Sequence, residues 1–171
     1  ILEVGCSTGL RLEAFKKAGF LECYGVEPSP EALYAKEVKK LAVIQKTFND
    51  FDCDNDSFDI VALYHVFEHL NNPVDTLKKI RNILKPDGLL AIQVPNFNSW
   101  QAKLFKEKWS ALDIPRHYFH YTFQTISHLL LQNGFKIKTI DWQSNFIRPL
   151  FWGPSLPGLK PQSIWQKEKN G

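Results

Sequence analysis

The 171-residue sequence predicts an α/β domain built on a doubly wound, mostly parallel sheet with helices on both faces. Three observations carry that expectation. Short apolar runs alternate with helical patterns, a glycine-bearing turn joins the first apolar run to the first helical one, and an acidic residue closes the second apolar run. Strand and helix in alternation make βαβ units, whose parallel sheet must be covered on both sides.

The elements follow in order. ILEV reads as a strand and RLEAFKKAG as the helix behind it, and CYGVE with PEALYAKEVKK repeats the pair. AVIQ is a third strand; DIVALY leads to VDTLKKIRNIL, GLLAIQV to FQTISHLLLQNG, and FKIKTIDW closes the series. In the helix over VDTLKKIRNIL, Leu77, Ile80 and Leu84 share one face flanked by Arg81, while Lys78, Lys79 and Lys85 point to water. Gly19, Gly88 and Gly134 each follow a helical pattern, where a left-handed cap is needed. The folded domain is expected over residues 1–148. The prolines and glycines of RPLFWGPSLPGLKP exclude a regular helix and a central strand, so 149–171 reads as an arm or loop, and QSIWQKEKNG is too poor in apolar residues to assign. The sequence begins at Ile1 inside a strand and has no methionine, so an upstream segment is expected.

With 44% hydrophobic and 23% charged residues the composition is that of an ordinary globular domain. The formal charge is +3 and the lysines are scattered among acidic residues, so a nucleic-acid partner is not expected. No apolar stretch approaches the roughly 20 residues that span a bilayer, and no signal peptide opens the chain, which points to the cytoplasm. Cys6, Cys23 and Cys53 are odd in number and lack C-x-x-C spacing, so free thiols are expected.

In ILEVGCSTG a strand runs into Gly5, Cys6, Ser7, Thr8 and Gly9 before a helix starts. Gly5 permits a tight turn and Gly9 a close approach of helix to strand or ligand, an arrangement that suits a nucleoside-type cofactor and equally a plain βα turn. Glu27, at the end of YGVE, favours the first reading, since a carboxylate there can accept hydrogen bonds from both ribose hydroxyls. A nicotinamide fingerprint G-x-G-x-x-G needs glycine where the chain has Ser7 and Leu10, so a pyrophosphate would meet side chains instead of bare backbone.

The sequence resembles the class I S-adenosylmethionine (SAM)-dependent methyltransferases, whose fold is Rossmann-like. ILEVGCSTG is similar to their first motif with Ser7 in place of the middle glycine, FDIVALYHVFEHLNNP to their fourth-strand motif, and LKPDGLLAIQVPN to the helix-turn-strand that follows. DIPRHYFHYTFQTISHLLLQNGF is similar to the closing segment of a bacterial subgroup loosely related to the methyltransferases of quinone biosynthesis. The resemblance implies SAM as cofactor, with Glu3, Gly5, Cys6, Ser7 and Gly9 around its methionine part and Glu27 and Pro28 at the ribose. An aspartate that often contacts adenine after the third strand is replaced by QKTFND, leaving Phe48 to stack on or flank the ring, or a backbone amide to mark its edge. Leu63, Tyr64 and His65 reach the sulfonium end from the fourth strand, as wall or as chemistry.

His65, Glu68 and His69 also spell H-x-x-E-H, a zinc-peptidase pattern. Asn71, Asn72 and Pro73 interrupt the helix such a site requires, so no metal is expected and Glu68 and His69 are expected to hold the strand–helix junction by hydrogen bonds. The long connection over about 96–122 reads as a lid or substrate loop with a small helix in FNSWQAKLFKEKW. Within it Arg116 is a candidate clamp for an acceptor carboxylate or phosphate and His117 a candidate base; the alternative is an Arg116–Asp113 pair with histidines completing loop hydrogen bonds. The expected function is SAM-dependent methyl transfer to a small or medium-sized acceptor. A catalytically inactive SAM-binding module and, further off, an NAD(P)-dependent oxidoreductase are the alternatives.

Overall fold

The computed structural model describes residues 1–142 and 163–167. Among them seven strands form one sheet: β1 Leu2–Val4, β2 Tyr24–Val26, β3 Ala42–Ile44, β4 Phe58–Tyr64, β5 Leu84–Gln93, β6 Phe135–Ile140 and β7 Ser163–Lys167, in the order β3-β2-β1-β4-β5-β7-β6. Each neighbouring pair among β1 to β5 is parallel, whereas β7 runs antiparallel to both β5 and β6. The order reverses at β1, which lies between β2 and β4, so the carboxyl ends of these strands flank a crevice of the kind where open α/β sheets bind ligands.

The helices are α1 Leu10–Lys17, α2 Glu31–Leu33 continuing as a wider π turn over Tyr34–Val38, α3 Pro73–Ile83, α4 Trp100–Phe105 inside the long connection, and α5 Phe123–Gln132. Helix α3 starts where Asn72 Oδ1 accepts the Asp75 N–H and Pro73 occupies the first turn; α5 starts on a capping box formed by Thr122 and Thr125.

The two-residue period of the strands divides the core. Leu2, Val4, Val61 and Leu63 pack with Leu77 and Ile80 of α3 and with Ile126 and Leu130 of α5. On the other side Leu12 and Phe15 of α1 pack with Ala32, Ala35 and Val43, joined by Ile60 and Tyr64. Each fully buried leucine or isoleucine contributes roughly 1.5–3 kcal/mol. Glu3 alternates with Leu2 and Val4 and is 1% exposed, a carboxyl set within the core. The free thiols are as expected, with Cys6 and Cys23 buried and Cys53 exposed.

Three local expectations change. Gly19 and Gly134 are left-handed, but the left-handed residue after α3 is Asp87, with φ 67°, and not Gly88. Gly88 is needed for space, because a Cβ there would lie 2.8 Å from the Lys85 carbonyl oxygen. Leu84, expected in the helix, is the first residue of β5 and pairs with Phe58, since α3 passes into the strand without a loop. QSIWQKEKNG, left unassigned from sequence, supplies Ser163–Lys167 to the sheet as β7. The proline-rich stretch before it lies outside the described residues. No helix among the described residues is long and apolar enough to cross a membrane.

Candidate cofactor and acceptor site

The loop after β1 is built by three left-handed residues, Gly5 (φ 71°), Ser7 (φ 47°) and Gly9 (φ 75°). The Gly5 N–H donates to the Val26 carbonyl at 2.7 Å and the Gly9 N–H to the Cys6 carbonyl at 2.8 Å, which closes the turn beside β2. A Cβ on Gly5 would run into Val66 Cγ2 and one on Gly9 into Leu41 Cδ1, so space as well as dihedral angle requires both glycines. Cys6 tucks its thiol beneath the loop against Gly25, where an added Cβ would come within 2.5 Å of the sulfur. Burial pushes that thiol up to about 12, so it is a packing group and not a nucleophile.

Glu27 stands at the carboxyl end of β2, and only 8% of it is exposed. Its Oε2 accepts the Ser7 N–H at 2.8 Å and its Oε1 accepts the Ser29 N–H at 2.9 Å. Two backbone donors thus fix the carboxylate, and each oxygen keeps a second acceptor position for a ligand. The neighbouring Pro28 is exposed. Glu3 Oε2 is buried with no hydrogen-bond partner, and burial raises its carboxyl to about 8, opposed by the Arg11 charge. Arg11 lies over the Tyr64 ring, 4.5 Å from its centroid, and burial raises the Tyr64 phenol, reinforced by Glu3. Glu3, Arg11 and Tyr64 thus form one electrostatic group at the ends of β1 and β4, and Arg11 carried no sequence signal of its own. Leu63 is fully buried.

Phe48 is placed otherwise than a stacking residue needs. It is buried in the main core, its ring 6.4 Å from that of Phe51, with Lys79 Nζ 5.2 Å from its centroid. The apolar content of the loop after β3 draws the ring inward, which leaves the backbone of Phe48 as the part suited to an adenine edge.

A second cluster lies where the long connection meets the end of β4. His65 is left-handed (φ 56°) and its Nε2 lies 2.8 Å from Gln93 Nε2. An amide nitrogen donates, so His65 Nε2 accepts and Nδ1–H faces Glu68 Oε1 at 3.4 Å. The Glu68 carbonyl accepts the N–H groups of Tyr118 (2.9 Å) and Phe119 (3.3 Å), and His69 Nδ1 lies 2.9 Å from the Arg116 carbonyl. His69 through its side chain and Glu68 through its backbone carbonyl thus tie the β4–α3 junction to the long connection, whereas the expectation is that they hold strand to helix. The Glu68 carboxylate accepts no hydrogen bond. Arg116 sends Nε and Nη2 to Asp113 Oδ1 at 3.0 and 2.8 Å. Its fork is thus committed to Asp113 at an exposed position, where such a pair contributes little. His117 is mostly buried, with Nδ1 2.9 Å from the Ala111 carbonyl, so the neutral ring carries its hydrogen there and presents a bare Nε2.

The sheet order, the glycine loop at the reversal point and the acidic residue ending β2 define a class I SAM-dependent methyltransferase fold. The chain matches the methyltransferase domain family over residues 1–140 and belongs to that family. Among curated proteins it is 28% identical over 107 residues to a ubiquinone biosynthesis O-methyltransferase of Haemophilus ducreyi, covering 56% of this chain and 45% of that one. The corresponding protein of Glaesserella parasuis is 32% identical over the same length and shares. A tRNA U34 carboxymethyltransferase of Cellvibrio japonicus is 26% identical over 93% of this chain and 56% of its own. The chain thus spans about half the length of the curated relatives it matches. Solved structures with the same fold include a Haloferax volcanii methyltransferase in complex with the Trm112 methyltransferase activator, with a TM-score of 0.74 at 18% identity over 99% of this chain and 82% of that one. A SAM-dependent methyltransferase of Archaeoglobus fulgidus has a TM-score of 0.70 at 22% identity over 98% and 85%. Family and fold imply SAM as the cofactor, and the residues present fit it: a fixed carboxylate with open acceptor positions, a loop kept bare by two glycines, and a buried carboxyl lacking a donor.

Proposed function

We propose that this domain transfers the methyl group of SAM to a small or medium-sized acceptor, an oxygen nucleophile in the first instance, bound beneath residues 96–122. The carrying observation is the Glu27 carboxylate, fixed by the Ser7 and Ser29 amides at the carboxyl end of β2 beside the loop after β1. Glu27 accepts the ribose hydroxyls, the Phe48 amide marks the adenine edge, and Glu3 with the ends of β1 and β4 receives the methionine ammonium. SAM supplies an electrophilic methyl on a sulfonium, with a neutral thioether as leaving group. The protein has to align the acceptor, exclude water and take up a proton. His117 Nε2 is the candidate acceptor of that proton, since a lone pair is free on a ring already oriented by Ala111. His65 orients the acceptor, because Gln93 already occupies its Nε2. Arg116 belongs to the loop's own Asp113 pair, and a substrate carboxylate would have to compete for it.

The likeness to ubiquinone O-methyltransferases supports oxygen. The tRNA-modifying relative carries a second reading, a nucleic-acid acceptor, which the charge of +3 disfavours. The domain's membership of a methyltransferase family gives no support to an inactive module or an NAD(P) enzyme. The test is transfer of label from methyl-tritiated SAM to a panel of phenols, catechols, amines and bulk tRNA. Label on a small hydroxyl compound is expected. Label on tRNA alone, or no transfer by protein that binds the demethylated cofactor, contradicts the proposal.

A further inference from the structure

The Glu68 carboxylate is 1% exposed and accepts no hydrogen bond at either oxygen. A buried carboxylate in that condition loses hydration worth several kcal/mol, and the His65 Nδ1–H at 3.4 Å from Oε1 is too distant to replace it, so a bound cation would stabilise it. Glu68, His69 and His117 each bring one donor atom to a common place, and these atoms all lie within 4.8 Å of one another. His69 Nδ1 faces the Arg116 carbonyl and His117 Nδ1 faces the Ala111 carbonyl, both at 2.9 Å. A carbonyl can only accept, so both Nδ1 atoms carry the hydrogen and both Nε2 atoms are bare lone pairs when the rings are neutral. A metal-ligating histidine ordinarily has this support, its far nitrogen tied to a carbonyl and its near nitrogen free. His117 Nε2 is 4.0 Å from Glu68 Oε1 and 3.9 Å from Asp113 Oδ2, so acceptors converge on this point from the β4–α3 junction and from the loop.

We propose that Glu68, His69 and His117 bind a divalent transition-metal ion, with Asp113 at the rim. Two imidazole nitrogens and one carboxylate oxygen suit zinc and its first-row neighbours, and three protein ligands leave coordination positions open. The set is not the one the H-x-x-E-H spacing suggests. That pattern would pair His65 with His69 on one continuous helix, but Phe67–His69 is a single 3-10 turn and the second imidazole comes from the long connection. A bound ion would occupy the His117 lone pair, so that in the loaded protein the ion, in place of His117 as base, would favour loss of the acceptor's proton. It would also tie that connection to the sheet and offer an open position to an acceptor oxygen. The roles toward the acceptor rest on the methyl-transfer reading, whereas ion binding does not.

The full chain, stripped with chelator and dialysed, is titrated with zinc by calorimetry, and its metal content is measured after gel filtration. Binding of the demethylated cofactor to the stripped protein is followed in parallel as a test of folding. One zinc per chain is expected, weakened by at least about 100-fold in His117→Ala and in Glu68→Gln, with cofactor affinity kept within about twofold. Cobalt(II) as a second probe should give an absorption spectrum that His117→Ala removes. Stripped protein that binds cofactor but takes up no stoichiometric zinc or cobalt overturns the proposal, as does zinc retained undiminished by His117→Ala. Stoichiometric zinc bound by the parent and lost in variants whose thermal unfolding matches the parent's supports it even where the parent binds no cofactor, a result that would count against the methyl-transfer reading alone.

Discussion

The Ser7 backbone N–H donates to Glu27 Oε2 at 2.8 Å, which joins the loop after β1 to the end of β2. The bond requires Ser7 to hold φ 47°, where a side chain with a Cβ is strained by roughly 1–2 kcal/mol. Ser7→Gly relieves that strain and loses part of the gain to a freer unfolded chain, so its stability should rise by at most about 1 kcal/mol. Ser7→Val, β-branched at the same angle, should lose about 1–3 kcal/mol. Urea unfolding of the two variants checks the order, and equal stability would contradict it.

Gly9 carries the tighter constraint. Its φ is 75°, and an added methyl would meet Leu41 Cδ1 and, at 3.4 Å, Ala35 Cβ. Gly9→Ala should cost about 2–4 kcal/mol, combining left-handed strain with overpacking. Both terms act on the turn that positions the loop, so the melting temperature and cofactor affinity should fall together. A loss confined to one of them would contradict this placement.

Glu3 makes stability depend on pH. Burial raises its carboxyl from 4.5 to about 8, so between those values the folded chain holds a proton that the unfolded chain has released. The group's contribution is full below about pH 4.5 and is lost as pH rises through about 8, with a slope of at most about 1.4 kcal/mol per unit. Glu3→Gln should flatten that fall, being more stable than the parent near pH 8.5, and should bind the cofactor's ammonium more weakly. Urea midpoints at about pH 6 and about pH 8.5 check the first part. An unchanged pH slope would contradict it.

Much of this architecture is legible in the sequence because it is local. A run such as FDIVALY between polar turns becomes β4, and the glycine spacing after ILEV becomes a turn in which Gly5 and Gly9 take two of the three left-handed angles. β7 is not legible in the sequence because SIWQK has no strong alternation and its pairing with β5 and β6 is non-local. Gly88 reads as a left-handed cap, but the adjacent Asp87 takes that angle. The position of Glu27 at a strand end is legible in the sequence, whereas its two backbone donors depend on where separate loops meet. The ring of Phe48 joins the core beside Phe51, a packing that no local pattern encodes, which leaves the backbone-amide reading of this residue. The H-x-x-E-H pattern did point to Glu68 and His69, but the approach of His117 to them depends on the path of the long connection, which no local period encodes.

The central claim is that Glu27 holds the ribose of SAM. Calorimetric titration of the full chain with S-adenosylhomocysteine tests it most directly, in the parent and in Glu27→Ala. Two charge-assisted hydrogen bonds at about 1.5–3 kcal/mol each predict a loss of affinity of about 100-fold or more in the variant. A folded Glu27→Ala that binds as tightly as the parent, or a folded parent that does not bind at all, would contradict it.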